Sequence, residues 1–140
     1  TLWSESARVP MQFGSGTAGA GGFVPMAYVS TPPFVGNAKF TLSLDRARGW
    51  AATFLLLDFS ASTTPVTVLG QNLYLTPAAT ALFQEFTQGS GAGNGYVTRA
   101  LPIPAISALA GTSMFGQWAV VDASGPSGLT STNAFGFTLF

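Results

Sequence analysis

The chain has 140 residues, with five basic and five acidic side chains, no cysteine and no histidine. Hydrophobic residues make up 47% and charged residues only 7%, which excludes a disordered polymer and leaves no basic face for nucleic acid. Without histidine or cysteine, a Ser-His-Asp triad, a thiol nucleophile and the usual zinc sites cannot be built.

The predicted elements begin with an extended stretch over residues 3–13. Trp3, Glu5, Ala7, Val9, Met11 and Phe13 share one face of it, and Ser4, Ser6, Arg8, Pro10 and Gln12 share the other. That alternation is the period of a strand with one apolar side. Residues 14–22 follow as a Gly-rich tract and read as a flexible linker. Further strands are predicted over 23–30, 39–45, 50–59, 66–69, 73–75, 96–101, 114–121 and 133–140. The clearest is Phe40-Thr41-Leu42-Ser43-Leu44, where the apolar residues fall on one side. Turns are expected at 31–33, 47–49, 89–95 and 122–128, all rich in Gly, Pro, Asp or Ser. Residues 76–83 carry a capping Thr76 and Pro77 at a first helical position, yet 81–87 also reads as a strand, and both remain open. Residues 103–109 fit one short helical turn ahead of Gly111.

Seven to nine short strands, each with one buried face, predict an all-β fold of two packed antiparallel sheets, immunoglobulin-like or jelly-roll-like. The chain divides into an extended N-terminal strand and linker, 1–22, and a β-sandwich domain, 23–140. No apolar stretch reaches membrane-spanning length. The alternating end of the chain, residues 135–140, resembles the last strand of an outer-membrane barrel, but short strands and few Tyr and Trp favour a core strand.

Five acids are left to carry chemistry: Glu5, Asp45, Asp58, Glu85 and Asp122. A glycosidase needs two carboxylates across a cleft, and each acid here has a plainer role. Asp122 opens a turn where its side chain can bond backbone amides. Catalytic, cofactor-binding and metal-binding residues are therefore expected to be none, and the chain is expected not to be an enzyme. Trp50 and Trp118 sit in strand patterns and are expected in the core. Tyr28, Tyr74 and Tyr96 are the candidates for stacking on a sugar.

A run of short motifs resembles a known type of module. Gly21-Gly22-Phe23-Val24-Pro25, Pro33 and Gly36-Asn37-Ala38-Lys39-Phe40-Thr41-Leu42 occur in the first half. Leu101-Pro102-Ile103-Pro104, Leu109-Ala110-Gly111-Thr112, Gln117-Trp118-Ala119-Val120-Val121-Asp122 and Gly128-Leu129-Thr130-Ser131-Thr132-Asn133-Ala134 follow in the second. The set is similar to an uncharacterised secreted β-sandwich module of planctomycete and myxobacterial surface proteins. The similarity covers about residues 21–140 and implies a secreted bacterial sandwich, with no activity and no catalytic residues.

A two-faced strand on a linker can fold back as the first strand of its own sandwich or add to the sheet of a neighbour. In the second case a head-to-tail contact that does not close makes a filament. The functional expectation is a structural subunit of an extracellular filament or surface assembly, with itself as partner. Trp3, Ala7, Val9, Met11 and Phe13 would form the subunit interface. A carbohydrate-binding or adhesive module, with a polysaccharide as partner, is the alternative. Because the chain starts with Thr1 rather than Met, removal of a signal peptide and a secreted, extracellular or cell-surface location are expected.

Overall fold

A computed structural model describes residues 10–75 and 81–140. They form ten strands: β1 Met11–Phe13, β2 Met26–Val29, β3 Thr41–Ala47, β4 Ala52–Asp58, β5 Val66–Val68, β6 Gln71–Leu73, β7 Ala81–Phe86, β8 Gly95–Ala100, β9 Ser113–Val121 and β10 Leu129–Thr138. The only helical pieces among the described residues are three single 3-10 turns. One of them, Ser107–Leu109, is the turn anticipated ahead of Gly111. Of the open choice around residue 81, the strand forms, over Ala81–Phe86. Residues 76–80 lie outside the described residues.

All pairings are antiparallel. The five-stranded sheet has the order β1-β10-β9-β4-β7, the three-stranded sheet β2-β3-β8, and β5-β6 is a separate hairpin. This is an all-β, sandwich-like fold. Alternation decides which side chains enter it. On β4, Thr53, Leu55 and Leu57 point inward and are buried, while Phe54 and Leu56 point outward and are half-buried. Leu55 pairs with Trp118 on β9, and Trp118 is fully buried as expected. From the smaller sheet come Ala27, Leu42, Leu44 and Val97, in one cluster with Val120, Phe135 and Phe137 of the larger one. Phe40 and Phe137 meet with ring centroids 5.0 Å apart.

Two Phe-Gly pairs lock β9 to β10. Gly116 faces Phe135 across the ladder, and Gly136 faces Phe115. A Cβ on Gly116 would collide with the Phe135 ring, and one on Gly136 would stand 2.7 Å from the Phe115 ring. Each glycine thus leaves its cross-strand partner room to lie flat on the backbone, which recovers packing that glycine alone would lack.

The two sides of the sandwich are closed by side chains. On one side, a register shift in β10 between Ser131 and Ala134 frees Asn133 from the ladder. Its carboxamide accepts from the Ala27 amide at 2.9 Å and donates to the Ala27 carbonyl at 3.0 Å. It thereby does for β2 what a paired strand would do. On the other side, Arg99 of β8 donates to Glu85 of β7 at 2.5 Å and lies 4.4 Å above the Phe83 ring.

One expectation is overturned here. Trp50 is not in the core: it is 78% exposed at the turn before β4, with φ of 53°. The apolar run that follows it belongs to β4, but the strand starts two residues later, at Ala52.

Candidate assembly site

The N-terminal segment sits at the edge of the larger sheet. Met11, Gln12 and Phe13 pair with Gly136, Phe135 and Ala134 of β10 in the same chain. Trp3, Ala7 and Val9, also expected at a subunit interface, lie outside the described residues. The anchor of β1 is Phe13, whose ring meets Tyr74 edge-on at 5.7 Å and Phe115 at 6.3 Å. Gln12, pointing the other way, donates to the Ala27 carbonyl at 2.7 Å. Met11 stays exposed.

Residues 14–22, which read as a flexible linker, are fastened along their length. Gly14 has φ of 75° and lies flat on the Tyr74 ring, where any side chain would clash. The Ser15 amide donates to the Tyr74 hydroxyl at 2.9 Å. Thr17 exchanges two bonds with Ser131: its amide donates to the Ser131 carbonyl, and its hydroxyl accepts from the Ser131 amide, both at 2.9 Å. The Ala20 amide donates to Asp122 Oδ2 at 2.8 Å. The same carboxylate takes the Ser124 amide on Oδ1 at 2.9 Å, the turn role expected of it. Small residues are needed here for close approach as much as for flexibility.

The β5–β6 hairpin and the residues after it cover part of the outer face of the larger sheet. Gln117, buried on that face, accepts from the Tyr74 amide and donates to the carbonyls of Asn72 and Thr132. Gln71 donates to the carbonyls of Pro126 and Leu129, both at 3.0 Å. These two glutamines were not singled out in the sequence. Gln117 gives one signal there, interrupting the apolar row of Phe115, Ala119 and Val121, whereas Gln71 falls between two predicted strands and gives none.

The candidates for other chemistry are dispersed. Tyr74 is buried and committed to β1, so it offers no sugar platform; Tyr28 is half-buried and Tyr96 exposed. Asp45 is on β3, Asp58 ends β4 and accepts from the Phe59 amide, and Glu85 holds Arg99. Among the described residues no three His, Cys, Asp or Glu side chains gather to hold a metal ion. An apolar cleft at one end of the sandwich, lined by Phe40, Phe59, Leu101, Ile103, Met114 and Leu139, has almost no polar group to orient a ligand. None of the described helices is long and apolar enough to cross a membrane. Comparison with protein-family models, with curated proteins and with solved structures finds no match to this chain.

Proposed function

We propose that this chain is a structural subunit of an extracellular filament or surface assembly, joined by strand addition from its N-terminal segment. The observation that carries this reading is β1. It is a three-residue edge strand, held by one aromatic anchor, at the point where the alternating segment with Trp3, Ala7 and Val9 enters the sandwich. Past Gly136, β10 has only Phe137 and Thr138 left to pair. Beyond them, the Leu139 amide is bonded to Thr112 and the Phe140 amide to Pro33. A cis continuation of the ladder could therefore reach no further than Val9, and the apolar face ahead of it has no place on β10.

The pinned tract of residues 14–22 determines which segment travels. Met11 and Phe13 stay with their own β10, and the donor is residues 1–9. The test is negative-stain microscopy of the full chain beside a chain lacking residues 1–9, which keeps β1 in place. Fibres or oligomers from the full chain alone are expected. Equal assembly by both would end the proposal.

A second reading rests on Trp50. A large aromatic ring, exposed at a turn tip in left-handed backbone, is a feature that recognition of a polysaccharide could use. Retardation of the chain in a gel containing a soluble polysaccharide, lost in Trp50→Ala, would support adhesion instead.

A further inference from the structure

The larger sheet has two ends, and β7 is the one opposite β1. Its outward residues are Leu82, Gln84 and Phe86, with Leu82 and Phe86 each 61% exposed. Beside them on the same face lie Ala52, Phe54 and Leu56 of β4, and Ala119 and Val121 of β9. No side chain in this set is charged. The single charge on β7, Glu85, points inward to Arg99. Natural edge strands are guarded by lysine, proline, bulges, inward-pointing charges or a covering segment. This one is six residues long and pairs without register shift; among the described residues it carries no lysine, proline or bulge. Its guards are the inward Glu85 and the single bridge of Gln88 to Tyr96 just past its end, which leave the outer backbone edge of residues 81–86 unpaired by any strand of the larger sheet.

We infer that β7 is the acceptor edge, occupied in the assembly by residues 3–9 of a second copy. This rests on the strand-addition reading above and names its partner surface. The donor matches the edge in length and pattern. Seven residues span roughly 23 Å and the six of β7 roughly 20 Å. With Trp3, Ala7 and Val9 facing outward, they would extend the apolar face already formed by Leu82 and Phe86.

The donor has to come from another copy. Residue 10 lies at the β1 edge, four strand spacings, or roughly 19 Å, from β7. Nine extended residues reach about 30 Å. Crossing the sheet would leave about three residues to pair with β7. The direct path is also obstructed, because Tyr74 and the β5–β6 hairpin sit over the outer face between the two edges. Donor on one end and acceptor on the other gives a heterologous contact, which builds a filament wherever its rotation does not close into a ring.

The absence of native cysteine makes the test clean. Full-length single-cysteine variants Glu5→Cys, Ala7→Cys and Val9→Cys are each mixed with Gln84→Cys under mild oxidation. A disulfide-linked heterodimer is expected from at least one mixture, and not from Ser6→Cys, which faces the other side. The variant Leu82→Lys with Phe86→Lys changes exposed positions only. It should melt within a few degrees of the parent while raising the concentration needed for assembly by about a hundredfold. If removal of residues 1–9 abolishes assembly, but no donor cysteine links to Gln84 and the lysine variant assembles normally, the acceptor is elsewhere and this inference fails alone. A cross-link that forms only within one chain carrying both cysteines would place the segment on its own β7, and also overturns it. If the full chain never assembles, or assembles equally without residues 1–9, the strand-addition reading itself falls.

Discussion

Gly116 and Phe135 illustrate how little freedom single positions have. The ring fills the space over the glycine, and Phe135 is fully buried between the sheets. Gly116→Ala should push the ring off its rotamer and cost about 1–3 kcal/mol, the usual range for overpacking a core. Urea unfolding followed by tryptophan fluorescence would measure it, with Trp118 as the reporter beside the site; an unchanged midpoint would show that the ladder can shift to make room. Trp50 should behave oppositely. Its φ of 53° is uncomfortable for any residue but glycine, and its ring is largely in water. Trp50→Gly should be neutral or stabilise by about 1 kcal/mol. A clear loss of stability in the same assay would mean that the ring packs on its neighbours in solution. The Trp50 error is instructive: tryptophan at the head of a run such as Ala51 to Leu57 has the composition of core, and alternation alone does not tell where the first ladder bond forms.

At the scale of elements, the strands were legible because local pattern decides them. Thr41–Ala47 and Ser113–Val121 form within two residues of their expected bounds. The ambiguous segment became the strand Ala81–Phe86 because β4 offers six consecutive partners there, a tertiary fact that overrides a helix-start signal. The docking of residues 14–22 was illegible for a similar reason. Thr17 and Ser131 are 114 residues apart, and Ala20 and Asp122 are 102 apart; composition reports flexibility, while the partners are long-range. Asp122 is the test of this tract. Asp122→Ala removes the acceptor for two backbone amides, each costing about 1 kcal/mol or more when left unmet. Hydrogen exchange at Ala20 and its neighbours should accelerate markedly, while exchange in β4 and β9 changes little. Uniform acceleration across the core would mean that the tract is not a separately opening unit.

For the whole molecule, zero net charge and few charges of either sign leave little long-range repulsion between copies, and the larger sheet presents an anchored strand at one edge and, at the other, a strand with an apolar outer row and a single inward charge. Under the proposed addition of the donor segment to β7, a fibre is polar. A chain lacking residues 1–9 keeps the β7 edge but has nothing to donate. The chain with Leu82→Lys and Phe86→Lys donates but receives about a hundredfold more weakly. Each should therefore terminate growing fibres, at opposite ends. Added to the parent at about one part in ten, either variant should shorten fibres severalfold, because one incorporated cap stops elongation at its end. A chain carrying both lesions donates nothing and receives as weakly, and should leave fibre length unchanged. Length distributions by microscopy, with each cap gold-labelled, distinguish the cases. Caps found at the same end, or shortening by the doubly altered chain, would require a contact other than donor segment on β7. Such a result would direct attention to the exposed Trp50 end of the same face, where a symmetric pairing of sheets would not need the N-terminal segment at all.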